Sequence, residues 1–386
     1  MARVIDSVPG RVGKPVDLQR SLKIDLKLCW KAFKVARASG PLAAGTHVPG
    51  TASMKTFLRA AQRRGVPGPI IDEVANAEAE FRRMISTHAG DRATFDSMAS
   101  ALARGEDRGQ IDLQHRRAAF RANGHIWGVQ AGTRFRCDLL QPAEDPNKLD
   151  FASFEGYVNL RQLRREAPIV LSVTHSGDDQ GGTHQIPWEP IDPEGTTPQG
   201  KALIREFCSQ PLPQLSTVNL GGGFVQTEMV SNGVGNQAAI TCIDGWLGRG
   251  FLSRYRDEQN RVAEHGVRIH IPCEVLVLDV LVKEGTFGPM TPVAVAYGDL
   301  LNMLPGRRRP HARDRLPFDD PVVYLGTGPA VLHTPEVPRY PEIAQYVFDR
   351  LDWNGAHFDV FRCTVAYPAM PSTVWIRYDL PDPPTG

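Results

Sequence analysis

The hydrophobic period changes near residue 133, and that change constrains the fold more than any other feature of the chain. Up to about residue 130 the apolar residues recur at steps of three and four, the period of an amphipathic helix. Ile70, Val74, Ala77, Phe81 and Ile85 form one such stripe, in a segment with Pro69 in its first turn and Gly90 just past its end. After residue 133 the chain turns to short runs rich in Val, Ile, Phe and Tyr, bounded by Gly, Pro and Asp. "RFRCDLLQP", "PIVLSVTHS", "FVQTEMV", "AAITCID", "VRIHIPCEVLVLDVLV", "PVVYLG", "FDVFRCTVAYP" and "TVWIRYDLP" read as strands. The helices expected among them are few: "GKALIREFCSQ", "GRGFLSRYRDEQNRVAEHG" and "YPEIAQYVFDRLDW". Strands that do not alternate with helices predict an α+β fold with a mostly antiparallel sheet. The expected division is an all-helical region over 1–130 and a β-rich α+β domain over 131–386, with the boundary anywhere between about 40 and 135.

With 386 residues, 41% hydrophobic and 23% charged, the chain is long and apolar enough for a sizeable core. A disordered chain is excluded. Its six cysteines are too far apart for a CxxC zinc or redox motif. The N-terminal "MARVIDSVPGRVGKP" lacks the apolar core of a signal peptide. The longest apolar run, "VLVLDVLV", is too short to span a bilayer and carries Asp279. These features predict a cytoplasmic protein with reduced thiols, no membrane partner and no cofactor.

Charge is unevenly placed. Residues 1–66 hold thirteen Lys and Arg against three Asp, a net of +10 in a chain whose total is +1. A basic segment on an acidic body suggests a polyanion partner. Much of that charge lies in "KPVDLQRSLKIDLKLCWKAFKVARA", residues 14–38. Leu18 and Leu22 suit the inner face of a first short helix, Ile24 the turn, and Cys29, Ala32 or Phe33 the inner face of a second. Asp25 suits its N-cap. Lys27, Lys31 and Lys34 then share one face of the second helix, extended backwards by Lys23 and forwards by Arg37.

This stretch resembles the helix-turn-helix of phage-repressor-like bacterial transcription regulators. The resemblance covers residues 14–38 alone. It implies duplex DNA as partner, with the second helix in the major groove, and a homodimer on a symmetric site. Leu26, Lys27 and Trp30 would reach the bases, and Lys23, Lys31, Lys34 and Arg37 the phosphates. A second basic face, Lys55 and Arg59 with Arg63 and Arg64, would clamp beside it. Gln19 stands where the family has a small residue, and Lys23 where it has glycine. Lysine at positive φ is disfavoured, so a looser turn is expected at Lys23.

The second half offers weaker chemistry. His175, Asp178, Asp179 and His184 in "THSGDDQGGTH" are metal-compatible ligand types, though their spacing fits no known mechanism and a hydrophilic loop explains them as well. His265, His270 and Cys273 could in principle form a nucleophilic site, yet Cys273 reads as a buried strand cysteine. No Walker loop, GxSxG elbow or HExxH pair occurs. The leading expectation is a DNA-binding regulator whose C-terminal domain senses a small-molecule effector or mediates assembly; the absent motifs weigh against an enzyme without excluding an unfamiliar one. Two alternatives stay open. One is an enzyme with its site in the α+β domain, near the metal-compatible loop or His333. The other is an assembly protein that docks through its basic face.

Overall fold

The computed structural model describes every residue except 39, 103–105, 176–187, 199, 223, 231–232, 259, 299–311 and 385–386. It is a mixed α+β structure with several sheets, and its backbone contacts divide it into two compact units, residues 1–112 and 113–386.

The first unit contains helices α1 (Ala2–Asp6), α2 (Pro15–Leu22), α3 (Leu26–Arg37), α4 (Pro41–His47), α5 (Thr51–Arg63), α6 (Gly68–His88) and α7 (Arg92–Leu102). Helix α8 (Glu106–Trp127) contains the division between the units. The buried core takes Val4, Leu18, Leu22, Cys29, Phe33, Phe57 and Ala61 from α1, α2, α3 and α5, and Val74 from α6. Of the α6 stripe, Val74 and Ile85 are buried and Ala77 is exposed. At the other end of α6, Phe81 meets Phe95 of α7 edge-on at 5.2 Å. Arg92 fastens this corner. Its guanidinium donates to the carbonyls of Gly45, Thr46 and Val48 at 3.0, 2.8 and 3.1 Å, where α4 runs out of its own amide donors.

The second unit is built on a seven-stranded sheet. In chain order its strands are β1 (Val129–Pro142), β2 (Lys148–Gln162), β4 (Glu189–Pro190), β7 (Ile240–Ser253), β9 (Cys273–Lys283), β11 (Val322–Thr327) and β12 (Phe358–Ala366). Their spatial order is β11-β12-β9-β1-β2-β7-β4, and every pair is antiparallel except β1 with β9. Two three-stranded sheets accompany it. One runs β10 (Val293–Gly298), β13 (Ser372–Asp379), β8 (Val262–Ile269). The other runs β3 (Ile169–His175), β6 (Phe224–Val230), β5 (Gln214–Gly221).

Alternation along β1 gives the central sheet two unlike faces. Phe135, Cys137 and Leu139 lie on one, with Phe154 of β2 and Asp279 of β9 beside them. Helix α9 (Tyr340–Leu351) covers this face through Tyr340, whose ring stands 5.5 Å from Phe135 and 6.0 Å from Phe154. Asp279 is fully buried here and fully partnered. Arg362 grips it with two hydrogen bonds of 2.8 Å, and the Tyr340 hydroxyl donates a third at 2.6 Å. The opposite face of β1 carries Arg134, Arg136 and Asp138.

Two segments expected to be helical are extended. In "GKALIREFCSQ" the residues Ala202, Leu203 and Ile204 are buried in succession, and Ile204 N–H donates to the Ile243 carbonyl of β7. Only a 3-10 turn (Arg205–Phe207) follows. Pairing to a strand edge outweighed helix propensity there. "GRGFLSRYRDEQNRVAEHG" is the end of β7, a loop, and the start of β8. Its Gly266 lies under the Trp375 indole, where a Cβ would come within 2.4 Å of the ring. Four strands, β2, β4, β5 and β10, lie outside the runs that the sequence pattern predicts.

His270 ties β3 to the central sheet. Its Nε2 lies 3.1 Å from the Val170 carbonyl and therefore carries the proton, and it lies 3.4 Å from the Tyr157 hydroxyl. Burial, with the Arg134 charge nearby, pushes the imidazole from its ordinary 6.5 down to about 4. Below pH 6.5 the unfolded chain binds a proton that the folded chain refuses, so stability falls as pH drops from about 6.5 to about 4. The loss is roughly 3 kcal/mol by linkage. We expect His270→Gln, which keeps an N–H for Val170, to flatten this part of the pH profile in urea unfolding between pH 7 and pH 4.

Candidate nucleic-acid interface

The site is built on α2, α3 and the three residues between them. Pro15 opens α2, and the Asp17 carboxylate accepts from the backbone N–H of Lys14 at 3.0 Å. Helix α2 stops at Lys23, which adopts the left-handed conformation (φ 56°, ψ 45°) and donates its N–H to the Gln19 carbonyl at 2.8 Å. Lysine thus holds a left-handed position that glycine more often takes. The strain is tolerable because the lysine side chain is exposed, while the flanking Leu22 and Ile24 pack on the core. Asp25 then caps α3, accepting from the N–H groups of Lys27 and Leu28 at 2.8 and 3.3 Å.

Helix α3 sorts its residues cleanly. Leu28, Cys29, Ala32 and Phe33 are buried. Burial drives the Cys29 thiol up to about 11, which leaves it inert. Lys27, Trp30, Lys31, Lys34 and Arg37 are exposed, and Leu26 is half-buried. Lys27, Trp30, Lys31 and Lys34 follow helical spacing of three, one and three, so they share one face. Over half of the Trp30 surface, 53%, is in solvent, which is unusual for the largest apolar side chain.

Among the described residues no carboxylate forms an ion pair with Lys23, Lys27, Lys31, Lys34, Lys55 or Arg59. Other cations of the same unit are paired: Arg3 with Glu73, Arg82 with Glu78, and Arg92 with Asp96. Arg37 differs from its neighbours in the row. It donates to the Gly13 carbonyl at 3.1 Å and lies 5.0 Å over the Phe33 ring, which braces the segment before α2. Lys14, Trp30, Lys34, Arg37 and His47 border an open groove of about 500 Å³, a cationic channel along the end of α3. Lys55 and Arg59 are exposed on α5, as is Arg63. Arg64 does not belong to that face, because its Nε donates to the Ser21 carbonyl and ties α5 to α2. Lys14 was not foreseen as part of the site, since it precedes α2 rather than lying on a periodic helical face.

The sequence candidates in the second unit separate. His175 ends β3, and Asp178, Asp179 and His184 lie outside the described residues. Among the described residues no group of three or more His, Cys, Asp or Glu is placed to hold a metal. Cys273 is buried and its thiol is pushed up to about 12 by burial. His265 lies between Asp138 and Tyr378, at 3.0 and 3.1 Å. The nearby Ser153 hydroxyl donates to Asp138 rather than to an imidazole, so it is not set up as a nucleophile. His333 is exposed at the end of a 3-10 turn (Pro329–Leu332).

The left-handed Lys23 generates a stability test. Glycine takes this conformation without strain. Lys23→Gly should raise stability by about 1 kcal/mol, and Lys23→Val should lower it. Amide exchange of α2 and α3 in urea measures both.

Comparison with known proteins adds little. No protein-family model matches the chain, and no curated protein matches it. A solved structure from Parabacteroides distasonis, described as a "putative protease", overlaps 65% of this chain at 10% identity with a TM-score of 0.27. This chain covers 40% of that one. An overlap of that quality carries no argument about fold or function.

Proposed function

We propose that this protein is a DNA-binding transcriptional regulator of the phage-repressor-like helix-turn-helix kind, which lays α3 in the major groove of duplex DNA. The observation that carries the reading is the row Lys23, Lys27, Lys31 and Lys34, which has no carboxylate partner among the described residues and flanks the exposed Trp30. Like charges a turn apart repel in a free helix, and phosphates opposite them relieve that repulsion. Helix α3 has twelve residues, a length of about 18 Å, and the major groove is about 12 Å wide. The lysines position the helix, and Trp30 with Lys27 and Leu26 reads base edges, the indole against a thymine methyl. Lys55 and Arg59 on α5 supply further phosphate contacts. Arg37 acts mainly as a brace through Gly13. The reading implies a cytoplasmic homodimer on a two-fold site. No helix among the described residues is long and apolar enough to cross a membrane.

The test is equilibrium binding of the full chain to mixed-sequence duplex DNA between 50 and 200 mM salt. Phosphate contacts from Lys23, Lys31, Lys34, Lys55 and Arg59 give a log–log slope of about −4.5 per subunit. Lys27→Glu combined with Lys31→Glu should abolish binding while leaving thermal unfolding unchanged, since both side chains are exposed and form no ion pair among the described residues. A flat salt response, or binding that survives the double substitution, overturns the proposal. Binding of an acidic protein surface but not of DNA would assign the same face to assembly instead.

A further inference from the structure

A second site lies within the other unit, on the sheet face of β1 that carries the ions. Residues Phe151, Ser153 and Glu155 alternate along β2, with Arg136 of β1 beside Glu155 and Trp246 of β7 beside Ser153. Trp188, just before β4, completes a cavity of about 270 Å³ lined by these six residues. Pairing of β4 with β7 fixes Trp188, and Gly248 makes room for it, since a Cβ there would meet the indole at 3.0 Å. The Trp188 ring also stands edge-on to Phe151 and Phe251, at 6.2 and 5.0 Å. Trp188 is 41% exposed and marks the mouth, while Arg136 and Glu155 form the floor.

Among the described residues the floor leaves a donor group of Arg136 and an acceptor of Glu155 without hydrogen-bond partners, side by side. Arg136 uses Nε on Asp138 at 2.8 Å, and its Nη1 stands 3.6 Å from Glu155 Oε2, too far for a hydrogen bond. Its Nη groups donate no hydrogen bond among the described residues. Glu155 accepts from Arg134 through Oε2 and leaves Oε1 without a partner among the described residues. We propose that this cavity binds a planar, uncharged heterocycle whose edge presents a carbonyl next to an N–H, the lactam edge of a purine or pyrimidine base. The carbonyl accepts from Arg136 Nη and the N–H donates to Glu155 Oε1, while the ring stacks among Trp188, Trp246 and Phe151.

The charge balance selects against ions. Arg134, Arg136 and Lys201 stand against Glu155, Asp138 and Asp244, joined by the Lys201–Asp244 pair at 2.9 Å. A carboxylate ligand meets Glu155, and an ammonium ligand meets Arg136. Glu155 stays ionised at neutral pH: burial alone would raise it, but Arg134, Arg136 and Lys201 hold it down at about 2. The acceptor on the floor is therefore a carboxylate at any working pH. At about 270 Å³ the cavity takes one or two fused rings and leaves any sugar outside at the Trp188 mouth.

The experiment is calorimetric titration of the full chain with hypoxanthine, 1-methylhypoxanthine, benzoate and benzylammonium. We expect saturable one-site binding of hypoxanthine. The 1-methyl compound, which lacks the donor N–H, should bind at least tenfold more weakly, and the two ions should not bind. Trp188→Ala, at the exposed mouth, should weaken hypoxanthine at least tenfold with unchanged thermal unfolding. Arg136→Gln should weaken hypoxanthine as much but also lower thermal stability, because it leaves buried Asp138 without that cation, and Trp188→Ala keeps the test decisive if that variant fails to fold. Inosine binding within threefold of hypoxanthine supports a ligand that keeps its sugar. Absence of hypoxanthine binding, equal affinity for the 1-methyl compound, or tighter binding of either ion overturns the proposal. DNA binding through α3 is untouched by any of these results.

Discussion

Arg134, Arg136 and Asp138 occupy alternate positions of a central strand, and the second unit has to satisfy them or not fold. Buried charges are costly unless each is paired and hydrogen-bonded. Here Glu155 takes Arg134 and approaches Arg136, Arg136 takes Asp138, and Asp138 also accepts from Ser153 and lies against His265. Burial alone would raise the Asp138 carboxyl, but Arg136 and His265 hold it below the usual carboxylate range. The pairing fixes the register of β2, with Arg136 opposite Glu155 and Asp138 opposite Ser153. A slip of one residue would carry Glu155 to the face that holds Phe135 and Cys137, where the cation Arg362 is already committed to Asp279. On that face the same rule is obeyed once more, by Asp279 between Arg362 and Tyr340. Removing one member of either set strands a buried ion, at a cost of about 3–5 kcal/mol.

The two units treat charge in opposite ways. In the second, the ions of the central sheet are enclosed and matched. In the first, the α3 row lies in water, and among the described residues no carboxylate pairs with its lysines. Solvated charge near a surface contributes little to stability, so the row is poorly explained as a stabilising device. An exposed indole in its midst adds nothing to folding either, since its burial would be favourable.

Much of the first unit was legible because helical spacing is local. Leu18, Leu22, Cys29, Ala32 and Phe33 announce which faces turn inward, and Asp25 announces where α3 starts. Most strand runs of the second unit were legible for the same reason. The short β4, β5 and β10 were not, and neither was β2, whose "FASFEGY" mixes small, aromatic and charged residues on a face that is polar yet buried. The helical reading of residues 200–210 failed because Ile204 is held by β7, more than thirty residues away in sequence. The floor of the heterocycle cavity was invisible for a like reason. Arg136 and Glu155 are unremarkable singly, and only the β1–β2 register makes them neighbours. The hint present in the sequence was the period-two run of charge through Arg134, Arg136 and Asp138. The loop holding Asp178, Asp179 and His184 drew notice by composition, which says nothing about what surrounds a residue.

The parallel pairing of β1 with β9 has a consequence for the growing chain. β1 can join β2 at once, since only a short turn over residues 143–147 separates them, but its other neighbour arrives more than a hundred residues later. Until Cys273–Lys283 is made, β1 has an open edge of unpaired amides and carbonyls, a template on which another strand could settle. The alternating ions of β1 make that edge a poor host for a greasy strand, because a stranger's apolar side chains would lie against Arg134, Arg136 and Asp138. The same charges that must be matched in the finished sheet thus guard the edge while it waits. A chain cut before Cys273 would wait indefinitely.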